Sequence, residues 1–312
     1  MSDTYEALDP EAATIIEEFQ SVGLPPWHSL DVESARTLED ELFSAGSGPD
    51  MASVRDMAIE HDGRSVEIRV FRPTESQHGT LVFFHGGGWT LGTLDSADDI
   101  CRNLAARGRC LVISVDYRLS PEHPFPAALD DAITVVNWAS AYADTVGGDR
   151  SRLGVAGTSA GGNLAAATAI YARELSLDVQ GQFLLYPITD CRFDTESYQQ
   201  FADAPLLSLA DMRWFWENYL RSPVDAYHPF TSVLRAPDLT GVAPAVVLTA
   251  GIDVLRDEGI AYAERLSTSG VEVDHHHYPS LPHGFLSLAD RVNRADEAMD
   301  HLGVSIQTRL RD

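Results

Sequence analysis

Lysine is missing from this chain: every one of its 22 basic residues is an arginine, set against 47 acidic residues for a formal net charge of −25. A field of that sign repels nucleic acid and anionic membrane surfaces, which removes both as partners. A high-GC genome accounts for arginine over lysine but not for the acidity. Acid excess of this density keeps a surface soluble where salt screens ordinary charge, so the chain is expected to be halophilic and to lose structure at low salt. Cysteine is scarce. Cys101, Cys110 and Cys191 are odd in number and lack metal-ligand spacing, which excludes a disulfide framework and points to buried thiols in a reducing compartment. No apolar run reaches membrane-spanning length, and Met1 to Leu8 has no basic-then-apolar leader, so a cytoplasmic protein without membrane insertion is expected. Repeats and low-complexity tracts are lacking too.

What is present is a globular composition, 44% hydrophobic and 9% aromatic over 312 residues. Residues 1–48 have helical periodicity, with Asp9 as N-cap before Pro10 and Trp27 large enough to fold over something. From residue 53 the period changes to two. Residues 53–60 and 64–73 read as a hairpin turned at His61-Asp62-Gly63. Apolar strands at 79–85, 110–116, 152–156, 182–186, 245–249 and 271–276 follow, alternating with helical stretches at 96–107, 125–142 and after 160. This alternation predicts an α/β fold with an eight-stranded, mainly parallel sheet covered by helices on both faces. Residues 191–234 interrupt it with an aromatic segment helical around 209–221. Together with residues 1–48 it is expected to form a helical cap over a catalytic core of residues 49–190 and 235–312.

The chain is organised around residues 152–169, where an apolar strand meets Gly157-Thr158-Ser159-Ala160-Gly161 and runs on as an alanine-rich helix. A strand, a very tight turn and a helix present Ser159 as a nucleophile, with glycines two residues away because side chains there would collide. The helix N-terminus adds free N–H groups and partial positive charge. A serine needs a base, and the base needs an orienting carboxylate, in the chain order Ser, Asp, His. Asp253 follows the strand at 245–249. Its neighbours Asp257 and Glu258 begin the next helix and are expected to cap it. His283 lies on the 278–285 loop after the last strand, alone in that setting among eleven histidines. His275, His276 and His277 alternate across a strand, which argues against a metal site. Directly after an earlier strand, His85-Gly86-Gly87-Gly88-Trp89 concentrates glycine at an entropic cost that anion cradling explains. No Gly-Lys-Ser/Thr follows, so a phosphate loop does not fit. The oxyanion donors are therefore assigned to Gly87, Gly88 and Ala160, with His85 bracing the loop.

These stretches, with Tyr117 to Asp131, Asp253-Val-Leu-Arg-Asp-Glu258 and His283-Gly-Phe285, resemble the hormone-sensitive lipase family of α/β-hydrolases. The bacterial and archaeal carboxylesterases of the Gly-Thr-Ser-Ala-Gly type are the most similar members. The likeness runs from about residue 50 to the end and departs at Val254, where many members have proline. It implies a serine esterase acting on a small-molecule ester through an acyl-enzyme, with no cofactor and no metal, on a scaffold that often forms homodimers. Within 117–131, Arg118 is expected to pair with Glu122 or Asp131, and Ser120-Pro121 and Phe125-Pro126 to be cis. The aromatic insertion suggests a closed apolar pocket for short- to medium-chain esters, with Trp89, Trp214 and Phe215 as its candidate lining. Activity is expected to decline below about pH 6 as an imidazole base protonates. Amide, formamide or deacetylase chemistry would use the same triad, and a non-catalytic receptor on this fold would lack the histidine.

Overall fold

The computed structural model describes residues 7–44, 48–61, 63–74 and 79–311. Its sheet has eight strands in the order β1-β2-β4-β3-β5-β6-β7-β8. They are β1 (Met51–His61), β2 (Arg64–Pro73), β3 (Thr80–Phe84), β4 (Leu111–Asp116), β5 (Leu153–Thr158), β6 (Val179–Leu185), β7 (Ala245–Ile252) and β8 (Val273–Pro282). β1 and β2 are antiparallel, as is β2 on β4, and every other pairing is parallel. The antiparallel pair at one edge is the expected hairpin; Asp62 of its turn lies outside the described residues.

Alternate side chains of each inner strand serve different cores. On β3, Val82 and Phe84 join a cluster with Ala132, Val135 and Leu164, whereas Leu81 and Phe83 join one with Leu104, Leu302 and Ile306. The period of two therefore buries both faces. α3 (Asp98–Gly108) and α9 (Asn293–Arg309) pack together over one face. α4 (Ala127–Tyr142) and α5 (Ala160–Glu174) cover the other, where α8 (Arg256–Thr268) joins them.

Above the carboxyl ends of the strands lie α1 (Pro10–Ser21), the single turn Trp27–Ser29, α2 (Val32–Phe43), and, from the insertion, the short α6 (Glu196–Gln200) and α7 (Leu209–Tyr219). Asp9 caps α1 by accepting from the Glu11 N–H at 2.9 Å. The two roof segments are joined to each other. Trp27 Nε1 donates to Leu206 O at 3.3 Å, and Asp211 accepts from the His28 N–H at 2.9 Å. The insertion is anchored below by Asn163, whose amide donates to Ile188 O and Thr231 O at 3.0 and 2.8 Å.

Both X-Pro bonds, Ser120-Pro121 and Phe125-Pro126, are cis. Arg118 takes Asp131 as its partner in a two-pronged pair, Nη2 to Oδ1 at 2.8 Å, while Glu122 is bound by Arg36 from α2. Three sequence expectations are corrected. β8 continues through Pro282, so most of the loop expected at 278–285 is strand. Likewise β7 runs to Ile252 instead of stopping near 249. The third concerns Asp257 and Glu258, which lie in the first turn of α8 yet do not cap it. Asp257 accepts from the Ser197 N–H at 2.7 Å and so reaches across to the insertion, while Glu258 accepts from the N–H groups of Thr189 and Asp190 at 2.6 and 3.1 Å, in the segment after β6 that leads into it.

Candidate active site

Four strand ends converge. Ser159 follows β5 directly, with φ 55° and ψ −115°. That backbone is unfavourable for a residue with a Cβ and persists only where the surroundings hold it. Here they do. The Ser159 N–H donates to Leu185 O at 2.8 Å, and Ser159 O accepts from Ile188 N and Asn163 N at 3.1 Å each. The flanking glycines are obligatory on contact grounds. A Cβ at Gly157 would lie 2.1 Å from Gly161 O, and one at Gly161 would lie 1.9 Å from Phe84 O.

Gly251 plays the corresponding part on β7. A Cβ there would sit 2.0 Å from Pro279 O, so glycine lets β8 close against β7 beside a register irregularity. That closure brings Asp253 and His283, the residues just past the two strands, side by side. His283 Nδ1 is 2.7 Å from Asp253 Oδ2, and His283 Nε2 is 3.0 Å from Ser159 Oγ. Asp253 is 1% exposed, so water does not compete for its carboxylate; its other oxygen accepts from the Leu255 N–H at 2.9 Å. Tyr186 sets the edge of its ring against His283, centroids 5.0 Å apart. Sequence reasoning missed Tyr186, and nothing in its strand-end position marks it.

The glycine loop after β3 faces the same space. Gly87 and Gly88 have φ of 99° and 58°. A Cβ at Gly88 would lie 2.1 Å from the Phe215 ring, and one at Gly87 2.4 Å from Leu91 O. Among the described residues the N–H groups of Gly87, Gly88 and Ala160 have no protein acceptor. The loop is braced from behind. His85 Nδ1 donates to Gly86 O at 2.8 Å, and the imidazole stacks on Tyr117, whose hydroxyl donates to His85 O at 2.9 Å. Burial pushes the His85 pKa down to about 4, so the ring is neutral in ordinary buffers and cannot carry charge in the site. From the roof, Arg36 Nε donates to Thr90 O at 2.9 Å.

Ser159, His283 and Gly86 to Gly88 line a cavity of about 610 Å³. Its walls are mostly apolar, with Phe19, Leu24, Leu42 and Met212 from the roof. Of the aromatic residues expected to line it, Phe215 does so. Trp89 does not: it is fully buried and stacked on Tyr219, ring centroids 4.0 Å apart and planes within 5°. Its indole is consumed in fastening the glycine loop to α7. Trp214 lies on the other side of α7, against a separate surface concavity with Arg213 and Glu217. Helical phase explains the split, since consecutive residues on a helix face about 100° apart. His275 and His277 share one face of β8, both on the Thr249 hydroxyl, at 2.8 and 3.0 Å.

A nucleophile, an imidazole, a buried carboxylate and free N–H donors around one apolar cavity can perform acyl transfer. Residues 81–287 match the family model of the alpha/beta hydrolase fold. The chain belongs to that family. A carboxylic ester hydrolase of Mycobacterium tuberculosis, LipN, is 42% identical over 83% of this chain and 71% of its own length. The ethyl acetate hydrolase of Pseudomonas putida is 33% identical over 97% of this chain and all of its own. The crystal structure of a thermostable esterase from Pseudomonas putida superposes with a TM-score of 0.92, at 34% identity over 98% of both chains. Within the hydrolase family the resemblance is thus to carboxylesterases of the hormone-sensitive lipase type, as the motifs implied. No helix among the described residues is long and apolar enough to cross a membrane.

Proposed function

We propose that this carboxylic-ester hydrolase works through an acyl-enzyme formed on Ser159. His283 Nε2 takes the Oγ proton as Oγ attacks the ester carbonyl. The tetrahedral oxyanion is held by the N–H groups of Gly87, Gly88 and Ala160. His283 returns the proton to the leaving alcohol, and water, activated by the same imidazole, then releases the acid and frees Ser159. Asp253 fixes the imidazole with Nδ1 protonated and Nε2 toward serine. The observation that carries this reading is the unbroken line of hydrogen bonds from Asp253 through His283 to Ser159, 2.7 and 3.0 Å, ending in the apolar cavity.

In the same reading, residues 1–48 and 191–234 act as a cap on a core of 49–190 and 235–312. The apolar cavity favours short- to medium-chain esters, and the relative named for ethyl acetate supports the small end of that range. The protein works in the cytoplasm of a salt-accumulating cell, which its charge of −25 suits; the pairing of two copies rests only on the likeness to scaffolds that dimerise. Side-by-side turnover of p-nitrophenyl butanoate and butanoyl p-nitroanilide tests the reaction class. Ester turnover exceeding anilide turnover by orders of magnitude is expected, and comparable rates would make the protein an amidase. A melting temperature indifferent to potassium chloride between dilute and molar concentrations would remove the halophilic part.

A further inference from the structure

α2 turns a mainly apolar face to the cavity, with Leu38, Leu42 and Phe43 among the lining, and one acid in their midst, Glu39. Glu39 is 9% exposed. Carboxyl groups are seldom buried to this extent unless paired with a cation. Among the described residues no cation is paired with it: Arg36, one turn earlier on α2, is engaged with Thr90 O, Ser120 O and Glu122. The Ser96 hydroxyl and the Gly92 N–H turn toward the carboxyl. Even so, its Oε2 has no hydrogen-bond partner among the described residues. A leucine, as at 38 and 42, would line an apolar wall without leaving a polar atom unsatisfied. Oε2 itself is enclosed by protein, so a turn of the side chain brings it to the cavity, where a ligand that supplies its partner is favoured over one that lacks it.

We propose that Glu39 is a specificity residue of this cavity, and that the preferred ester carries a hydroxyl on the portion lying along α2. The inference rests on the acyl-enzyme reading, since it places Glu39 and Ser159 around one substrate. Burial pushes the Glu39 pKa up to about 7, against the Ser96 and Gly92 hydrogen bonds that lower it, so both protonation states occur near neutrality. A hydroxyl suits both states: it accepts from the carboxylic acid and donates to the carboxylate. A ketone or ether oxygen suits only the acid, and an ammonium only the carboxylate.

The test compares kcat/KM for ester pairs differing by one group, with wild type, Glu39→Gln and Glu39→Leu between pH 6 and 8.5. On the acyl side the pairs are p-nitrophenyl hexanoate with its 3-hydroxy and 6-hydroxy analogues. On the alcohol side they are the butanoate esters of 1-hexanol, 1,6-hexanediol and 6-amino-1-hexanol. A hydroxyl-over-alkyl preference is expected on one side, retained across the pH range, kept by Glu39→Gln and reduced about tenfold by Glu39→Leu. Ratios within twofold of one another in all three proteins overturn the proposal, as does a preference for the amine over the hydroxyl. If Glu39→Leu fails to fold, wild type decides alone: no preference for any hydroxylated ester overturns it. Turnover of the plain alkyl esters reports separately on the acyl-enzyme, so failure of the two readings is distinguishable.

Discussion

At the floor of the cavity, Gly88 is held at a φ of 58° with room for no Cβ, and Ser159 is held at 55° by bonds to the strand-end segment of β6. At the roof, Phe19, Leu24, Leu42 and Met212 meet the same cavity with side chains that have no hydrogen bond to satisfy. The floor is specified by backbone geometry, where the tolerance is a fraction of an ångström and a wrong residue breaks the chain path. Side-chain volume specifies the roof, where neighbours can shift. On the proposed mechanism, catalytic positions belong below and substrate choice above. Polar contacts such as Arg36 to Thr90 O are the rivets between them.

The largest effect separating the two regions is chemical. Ser159→Ala should lower kcat by about 10⁴-fold or more, with little change in melting temperature; near-normal turnover would refute the assignment. Gly161→Ala should come next. Its Cβ would meet Phe84 O at 1.9 Å, a backbone atom that cannot rotate away, so soluble, active protein should be scarce on expression. Gly88→Ala tests the seam between floor and roof. Its Cβ would strike Phe215, so kcat/KM should fall about 100-fold, as when an oxyanion donor is lost. Adding Phe215→Ala should restore part of that; no recovery would show that the positive φ alone carries the cost.

Glu258 holds Thr189 and Asp190, in the segment that leads from β6 into the insertion, and its effect depends on pH. Burial pushes its pKa up to about 8, against the ordinary 4.5, opposed by the Thr189 and Asp190 N–H groups. The folded chain keeps a proton that the unfolded chain releases. The resulting stability is present below about pH 4.5 and is lost as pH rises through about 8. Glu258→Gln keeps an acceptor for both N–H groups and does not ionise. Its melting temperature, compared with wild type, should therefore gain between pH 5 and 8.5; a constant difference would mean Glu258 is not neutral in the fold. The smallest effects belong to the roof. Phe215→Ala should raise KM up to about tenfold with kcat nearly unchanged, and Trp214→Ala, outside the cavity, should change either by less than about twofold.

Much of the floor was legible because short backbone devices leave signatures. The glycines at 157, 161, 87 and 88 mark close approaches that no other residue allows, and the order Ser159, Asp253, His283 follows strand ends. Strand lengths were less legible. Val273 to Pro282 contains two prolines and a histidine run, and its pairing to β7 comes from tertiary context that a period-two pattern does not carry. The roof was legible as helices but not as a lining. Trp89 was expected in the pocket lining, yet Tyr219, far away in sequence, claims its face. Phe215 and Trp214 differ by one helical step, and only the docking of α7 decides which points inward. Glu39 gave no signal at all, since a glutamate in a polar helix is ordinary until its burial is known.

The most direct measurement is covalent. A fluorophosphonate reacts only with a serine that is activated and faces an oxyanion site, so intact mass and peptide mapping of the labelled protein read the central claim in one step. One adduct per chain, on Ser159, abolished by both Ser159→Ala and His283→Ala, is the predicted result. Labelling of another residue, or undiminished labelling after either substitution, would contradict it.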